Sequence, residues 1–488
     1  MSGHIIEDRK KQLWIVISVA FAAFMAAVDT YIVNVALPTI AHYFNIGTSD
    51  AALVTLSYLL IITSTLPILG KIGDRVGFKI ILLLGFAFFA AGSLLCGLAP
   101  GIYFLVGSRC IQGVGAAMLY AVGMAMIVRY IPENRRGWAF GVTATAAGLG
   151  VVIGAPLGGL ITQYFSWHWI FLINVPVGVI AIFVAMKVIP RDKPAHDTSK
   201  RGVPFDIPGA LMIFIALTAL VLALNRGQQF GWHHWGIIVM FVASAALLTG
   251  FIFWERKCKD PLLDLAIFRL RSFSFGAFAA LLAWSTFAGG NFLLPFYLQL
   301  IKGLSTSVIG AMFLISSIIY VFVSPLMGRL SDWVGTRILC CSGMGATTLA
   351  LVFLAFTLGL PSIAPVMLYL AWIGISMGTF VPPNNSVTLS SIPEESQGAA
   401  SATSRALQNL GMVLGVAIFE TIFSSVMPNT ALNTSPSNAN VPPDVLIGGF
   451  RNAFFAGAIM CLIAFVLSLF AKEDRKSIRK PGASGLMA

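Results

Sequence analysis

A helix that crosses a bilayer needs about 20 mostly apolar residues in a row, and this chain contains fourteen such runs. They lie at 13–37, 51–70, 80–99, 102–127, 138–163, 168–189, 208–225, 235–254, 273–298, 306–328, 337–358, 364–390, 399–427 and 450–471. Fourteen spans of this length use about 280 apolar residues, and a 488-residue chain that is 58% hydrophobic holds that many. Its charged fraction is only 10%, against about a quarter in soluble domains. Soluble globular, disordered and collagen-like classes are thereby excluded. The expectation is an all-α polytopic membrane protein with little mass outside the lipid bilayer. The first run follows Arg9, Lys10 and Lys11 and is longer than a signal-peptide core, so it reads as an uncleaved first span. The weakest runs, 208–225 and 235–254, also fit one hairpin at a membrane edge.

The chain carries 31 Lys and Arg against 19 Asp and Glu. Such an excess raises the question of nucleic acid, and placement answers it. An even number of spans puts both termini on one side. The termini and the even-numbered connections carry 26 of the 31 bases, whereas the opposite side has only Arg226, Lys302 and Arg451. Cytoplasmic loops collect Lys and Arg in this way. The pattern predicts cytoplasmic termini in a multi-pass protein of the cell (inner or cytoplasmic) membrane, and it uses up the basic excess without nucleic acid. The six cysteines form no C-x-x-C or Cys/His cluster, so neither a disulfide framework nor a metal site is expected.

One motif occurs twice. Gly70, Asp74, Gly77 and Lys79 end the second run, and Gly328, Asp332, Gly335 and Arg337 end the tenth. Both read G-x-x-x-D-x-x-G-x-[KR], 258 residues apart. If each copy follows the second helix of a six-helix half, the second half begins at the ninth run and the seventh and eighth are an insertion. Repeated halves with a site between them are the plan of secondary transporters. The divisions are then a cytoplasmic N-terminus at 1–12, a first bundle at 13–189, a linker at 190–272 with the extra helices 208–225 and 235–254, a second bundle at 273–471 and a cytoplasmic tail at 472–488. Glycines let helix ends approach closely, and the acids and bases there, Asp74, Arg75 and Asp332 among them, suit a moving joint.

The chain at this point resembles the major facilitator superfamily, and within it the fourteen-helix drug:proton antiporter family. The resemblance implies the major facilitator fold. Phe78 and Trp333 stand where the two loop motifs usually carry a base, which weakens the second copy's charge relay. Val28 to Pro38 resembles the family's D-x-T-I-V-N-V-A-L-P, with Tyr31 at a position that is usually Thr. Arg109, Gln112, Gly113 and Gly115 match R-x-x-Q-G-x-G-A-A. Gly150, Gly154, Pro156, Gly158 and Gly159 resemble the antiporter motif G-x-x-x-G-P-x-x-G-G, with the Pro displaced by one. Trp167 to Gly178 is close to W-R-W-I-F-L-I-N-V-P-x-G, with His168 replacing Arg. Asp260 to Arg269 resembles the loop before the ninth helix.

Asp29, Arg109 and Glu420 fall deep inside spans. Each costs roughly 2.5–3.5 kcal/mol or more at mid-bilayer if it faces lipid, so each is a functional candidate facing a cavity or a partner. A guanidinium favours the ionised form of a nearby acid while burial favours the neutral form, a competition that lets an acid exchange protons. The resemblance gives Asp29 a role in proton coupling or cation binding; the competing reading is a fixed pair with Arg109. For Glu420 the competing reading is an acid at the outer water interface. Arg405 lies near the inner end of its span, where it can snorkel.

Aromatics with few polar groups and one or two acids suit lipophilic cations. Candidate substrate residues are Asp29, Tyr31, Asn34, Gln112, Trp284, Asn291, Phe292, Tyr297, Tyr320, Trp372, Asn384 and Glu420, although lipid-facing packing competes for any one aromatic. With the resemblance they imply a monomeric, proton-coupled antiporter that exports small amphipathic, cationic compounds by alternating access. A dedicated exporter of one metabolite and an uncoupled facilitator are the alternatives. No nucleotide-binding motif or large soluble domain is present for an enzyme or an ATP-driven pump, so no cofactor is expected.

Overall fold

The computed structural model describes residues 6, 8–190, 206–258, 262, 265–390, 392, 397–428, 434 and 441–471. The tail at 472–488 and the loop motif at Asp260 and Asp264 lie outside the described residues. In a bilayer core each backbone polar group must be bonded within its own segment, and the apolar runs accordingly form helices. They are α1 (Arg9–Phe44), α2 (Thr48–Val76), α3 (Phe78–Gly97), α4 (Ile102–Tyr130), α5 (Glu133–Tyr164), α6 (Trp169–Val188), α7 (Ile207–Phe230), α8 (Trp235–Glu255), α9 (Arg271–Leu300), α10 (Thr306–Val334), α11 (Thr336–Thr357), α12 (Ala364–Ser390), α13 (Gln397–Ser424) and α14 (Pro443–Phe470). All fourteen are long and apolar enough to cross a membrane. The pair α7 and α8, weakest in sequence, consists of two full-length spans.

The repeat is written into the packing. In the first half α1 packs on α5, α2 on α4, α3 on α4 and α3 on α6. In the second half α9 packs on α13, α10 on α12, α11 on α12 and α11 on α14. These are the same four pairings shifted by eight helices. Between the halves, α5 meets α10 and α2 meets α13, a reciprocal arrangement about a pseudo-two-fold axis. The inserted α7 packs on α8 and also leans on both α2 and α13. Hereafter the end of the bundle where α1 begins and α14 ends is the basic end, and the other is the distal end.

The two loop motifs share a backbone device. Gly77 joins α2 to α3 with φ of 108°, and Gly335 joins α10 to α11 with φ of 97°. Residues with a Cβ avoid this region, which explains the second glycine of each motif. Phe78 is buried with the Arg129 guanidinium 5.3 Å from its ring centroid, so the position that lost its base holds a cation–π contact. Asp332 and Trp333 are exposed at the corresponding place in the second copy.

Candidate functional site

The first site is an ionic network inside the first half. Arg109 on α4 donates from Nη1 to Asp29 Oδ2 on α1 at 2.6 Å and to Gln112 Oε1 at 2.6 Å. Its Nε donates to Val54 O on α2 at 3.2 Å. Gln112 Nε2 donates to Asp29 Oδ1 at 2.8 Å and to Ser93 Oγ at 2.7 Å. Asn174 on α6 donates to the same Asp29 oxygen at 3.1 Å. The guanidinium carbon stands 3.9 Å from the centroid of the Tyr58 ring on α2. Asp29, Arg109 and Gln112 are all essentially without solvent contact. Arg109 and Gln112 share one face because they are three residues apart on a helix. The geometry is therefore that of a closed pair, each charge bonded several times over, and it does not line the space between the halves. Ser93, Asn174 and Tyr58 complete the network; short polar residues in apolar runs were the available signal for the first two.

The second site lies at the distal end, where α2, α7 and α13 meet. Glu420 Oε1 on α13 accepts the Ser49 hydroxyl of α2 at 2.5 Å and the Thr48 hydroxyl at 3.4 Å. Its Oε2 is buried, and the Ser424 hydroxyl, one turn on, bonds Thr421 O. Asn225 at the end of α7 donates to Ser49 O at 2.9 Å, Thr421 donates to Leu224 O at 3.0 Å, and Arg226 pairs with Asp50 at 2.7 Å. Glu420 is thus in the wall between the halves, completely buried. On the other side of the pseudo-axis, Thr306 of α10 donates to Gly159 O of α5 at 3.0 Å.

The glycines of α5 divide into two faces. A Cβ on Gly150, Gly154 or Gly158 would meet the backbone of α1, at Phe24 O, Val28 O or Ile32 O. A Cβ on Gly159 would meet Thr306 O, and one on Gly310 would meet Ala155 O and Pro156 Cα. The string thus joins helices within one half and, at Pro156 and Gly159, joins the halves. Gly70 has open space around it. Arg75 is exposed at the end of α2; the side chain of Asp74 lies outside the described residues.

The middle of the molecule is aromatic. Tyr31 on α1 meets Phe287 on α9 edge to face at 6.4 Å, and Trp284 meets Phe287 at 5.7 Å. Tyr31, Trp284, Tyr320 and Asn34 are half-buried, and Asn34 Oδ1 accepts the Thr55 hydroxyl at 3.3 Å. Asn291 lines a cavity of about 10 Å³ in the second half, with room for one water, beside Tyr369. Other candidates are not brought to the centre. Phe292 packs at a tilt on Phe296 in the core, Tyr297 donates its hydroxyl to Leu358 O at 2.6 Å, Asn384 is buried, and Trp372 faces Phe353 within the second half. Tyr120 on α4, which had no weight in the sequence reading, is half-buried like Tyr320, and Arg405 is exposed on α13. Near the distal surface, His168 stacks on Trp167 at 3.7 Å, and partial burial pushes its imidazole below the usual histidine range.

This arrangement of paired six-helix halves agrees with the comparisons. The model of the family described as Major Facilitator Superfamily matches residues 19–416. The chain belongs to that superfamily. Its members are transporters rather than enzymes. Among relatives, it is 32% identical to the riboflavin transporter RibZ of Clostridioides difficile over 96% of this chain and 100% of that protein. It is 30% identical to the multidrug resistance protein Stp of Mycobacterium tuberculosis over 86% of this chain and 78% of that protein. Among solved structures it resembles a bacterial homologue of the human lysosomal transporter Spinster in an inward-facing, unoccupied conformation. The TM-score is 0.68 at 16% identity, over 95% of this chain and 97% of that one. That likeness is one of fold. The relatives named for multidrug resistance are consistent with the drug:proton antiporter branch.

Proposed function

We propose that this transporter is a proton-coupled antiporter that exports amphipathic aromatic compounds by alternating access, as a monomer with its basic end in the cytoplasm. The observation that carries the reading is Glu420: a fully buried acid that bonds across to the opposite half. Ser49 and the N-terminus of α2 favour the carboxylate, whereas burial favours the neutral acid. A balance of this kind changes with access. When the distal contacts part, Glu420 meets outer water and takes up a proton; when they close, the neutral acid is the cheaper form to bury. Asp29 is the second acid. Its pair with Arg109 is anchored to α2 through Val54 O and Tyr58, so movement of α2 against α4 changes how firmly Arg109 holds it. Asp29, Arg109 and Glu420 together form the coupling set, and Tyr31, Trp284 and Tyr320 the aromatic contact surface. The glycine joints at Gly77, Gly335 and Gly159 permit the motion.

A dedicated exporter of one metabolite is the second reading, favoured by the full-length relative named a riboflavin transporter. An expected cation rested on an acid free to face the substrate. Asp29 and Glu420 are both enclosed here, so the sign of the substrate charge must come from other groups. The test is substrate-driven proton movement in liposomes containing the purified protein. Coupled antiport predicts proton flow on substrate addition that is lost in Glu420→Gln. Substrate flux insensitive to a protonophore overturns the coupling.

A further inference from the structure

The inserted helix α7 touches α2 at the distal end, where Asn225 donates to Ser49 O. Toward the basic end the same two helices bound a cavity of about 200 Å³. Ile61, Ile68 and Lys71 line it from α2, and Ala210 and Phe214 from α7, with Asp206 at the start of that helix. The α2 residues recur at helical spacing on one face, and Ile61 to Lys71 is about 15 Å at 1.5 Å per residue. The cavity therefore runs along the helices, the direction in which an acyl chain lies in a bilayer. Its walls are apolar, because Ser64 and Thr65 give their hydroxyls to Leu60 O and Ile61 O of their own helix. Ile207 and Leu211 also line it and are 58% and 52% exposed, so it opens on the lipid-facing side of α7. A cavity of about 150 Å³ takes a benzene ring, so this one has room for a stretch of hydrocarbon.

The end of the cavity nearest the basic end is polar. Asp206 is buried and caps α7: its Oδ1 accepts the Gly209 N–H at 3.0 Å and the indole N–H of Trp254 on α8 at 2.6 Å. Its Oδ2 is buried and accepts no hydrogen bond among the described residues. Trp254 is one residue from the end of α8, the level at which tryptophan marks the membrane–water interface. We propose that this groove between α2 and the inserted α7 is a binding site for one phospholipid with a primary-amine headgroup. One acyl chain lies along Ile61, Ile68, Ala210 and Phe214, the ammonium donates to Asp206 Oδ2, and Lys71 serves the phosphate. An ammonium brings three N–H donors and no acceptor, which suits a buried carboxylate oxygen whose missing bond is costly. Lys71 likewise has three donors, enough for a phosphate besides a group of the protein. A choline head has no N–H and a glycerol head no positive charge, so each satisfies only part of the site. The inference depends on the spans lying in a bilayer, and neither on proton coupling nor on the transported compound.

Native mass spectrometry of the purified, delipidated full-length protein measures the affinity, with phosphatidylethanolamine, phosphatidylcholine and phosphatidylglycerol of identical chains as probes. Phosphatidylethanolamine is expected to bind at least tenfold more tightly than either of the others. Asp206→Asn keeps an acceptor for Gly209 and Trp254 but loses the charge, and it should cut that preference to twofold or less. Ala210→Phe puts a ring into the groove and should weaken phosphatidylethanolamine tenfold; Asp206→Asn needs no repacking and decides the matter if the phenylalanine variant fails to fold. Asp444→Asn, an exposed acid at the start of α14, should leave the preference unchanged. Phosphoethanolamine, the headgroup without chains, should not displace the lipid even in large excess. Equal affinities for phosphatidylethanolamine and phosphatidylcholine, a preference for phosphatidylglycerol, or a preference that survives Asp206→Asn overturns the proposal. So does displacement by phosphoethanolamine, which would make the groove a site for a soluble amine instead of a lipid.

Discussion

Ser49 and Glu420 are 371 positions apart in the chain and 2.5 Å apart in space. One opens α2 and the other lies in the last two turns of α13, so their hydrogen bond ties the halves at the distal end. A bond to a charged or titrating group contributes about 1.5–3 kcal/mol, enough to shift an access equilibrium by a factor of ten or more. Ser49→Ala removes the donor and should raise the labelling rate of a cysteine at Gln299, probed from the distal side with an impermeant maleimide in a cysteine-replaced background. Glu420→Gln keeps an acceptor but cannot titrate. It should label slowly, like the parent, and lose the dependence of that rate on outside pH.

The Asp29–Arg109 pair predicts asymmetric costs. Removing one member of a buried pair leaves an uncompensated charge and costs about 3–5 kcal/mol, whereas removing both costs less than the sum. Arg109→Ala should therefore lower the thermal unfolding midpoint more than Asp29→Asn combined with Arg109→Gln. Arg109→Lys should not rescue. A lysine cannot bond Asp29, Gln112 and Val54 O at once while lying flat on Tyr58. Equal losses in the single and double variants would refute the closed-pair description.

How much of this was legible in the sequence depended on the range of the interaction. Fourteen spans were readable because each is a local run of apolar residues, and the repeat because its two copies share a turn geometry. Asp29, Arg109 and Gln112 were nominated by the cost of charge in lipid, and the helical spacing of 109 and 112 put them on one face. What could not be read is which side of a helix faces the cavity. The hydrophobic period is nearly silent when lipid and core are both apolar, so Phe292 and Tyr297 looked like cavity residues and lie in packed interior. The role of α7 at the distal junction, through Asn225 and Arg226, likewise depends on contacts more than 170 residues away.

The glycines of the repeated loop differ in what they do. Gly77 and Gly335 have φ of 108° and 97°, where a Cβ costs about 1–2 kcal/mol. Gly70 has helical neighbours and open space around it, where Ala is favoured by up to about 1 kcal/mol. Gly77→Ala and Gly335→Ala should both lower the unfolding midpoint in detergent and slow transport, and Gly70→Ala should leave the midpoint level or raise it. A Gly70→Ala loss equal to the other two would show that the motif glycines act through packing instead of backbone conformation.

Gly158 and Gly159 are adjacent on α5 and should fail in different ways. An added methyl at Gly158 runs into Ile32 O of α1, a partner in the same half. Those two helices pack tightly along their length, so the collision strains one rigid body. Gly158→Ala should lower the unfolding midpoint with little change in which side is accessible. At Gly159 the methyl runs into Thr306 O of α10, and Gly159 O is the acceptor of the Thr306 hydroxyl. The halves can relieve that collision by moving apart, which opens the distal end. Gly159→Ala should therefore speed maleimide labelling at the distal end several-fold while the midpoint falls less than for Gly158→Ala. The same measurements with Ser49→Ala added bear on whether the two distal contacts act as one gate, because each holds one of the reciprocal helix pairs, α5 with α10 and α2 with α13. A single gate predicts that the double variant opens little further than the more open single variant. Independent latches predict multiplied labelling rates.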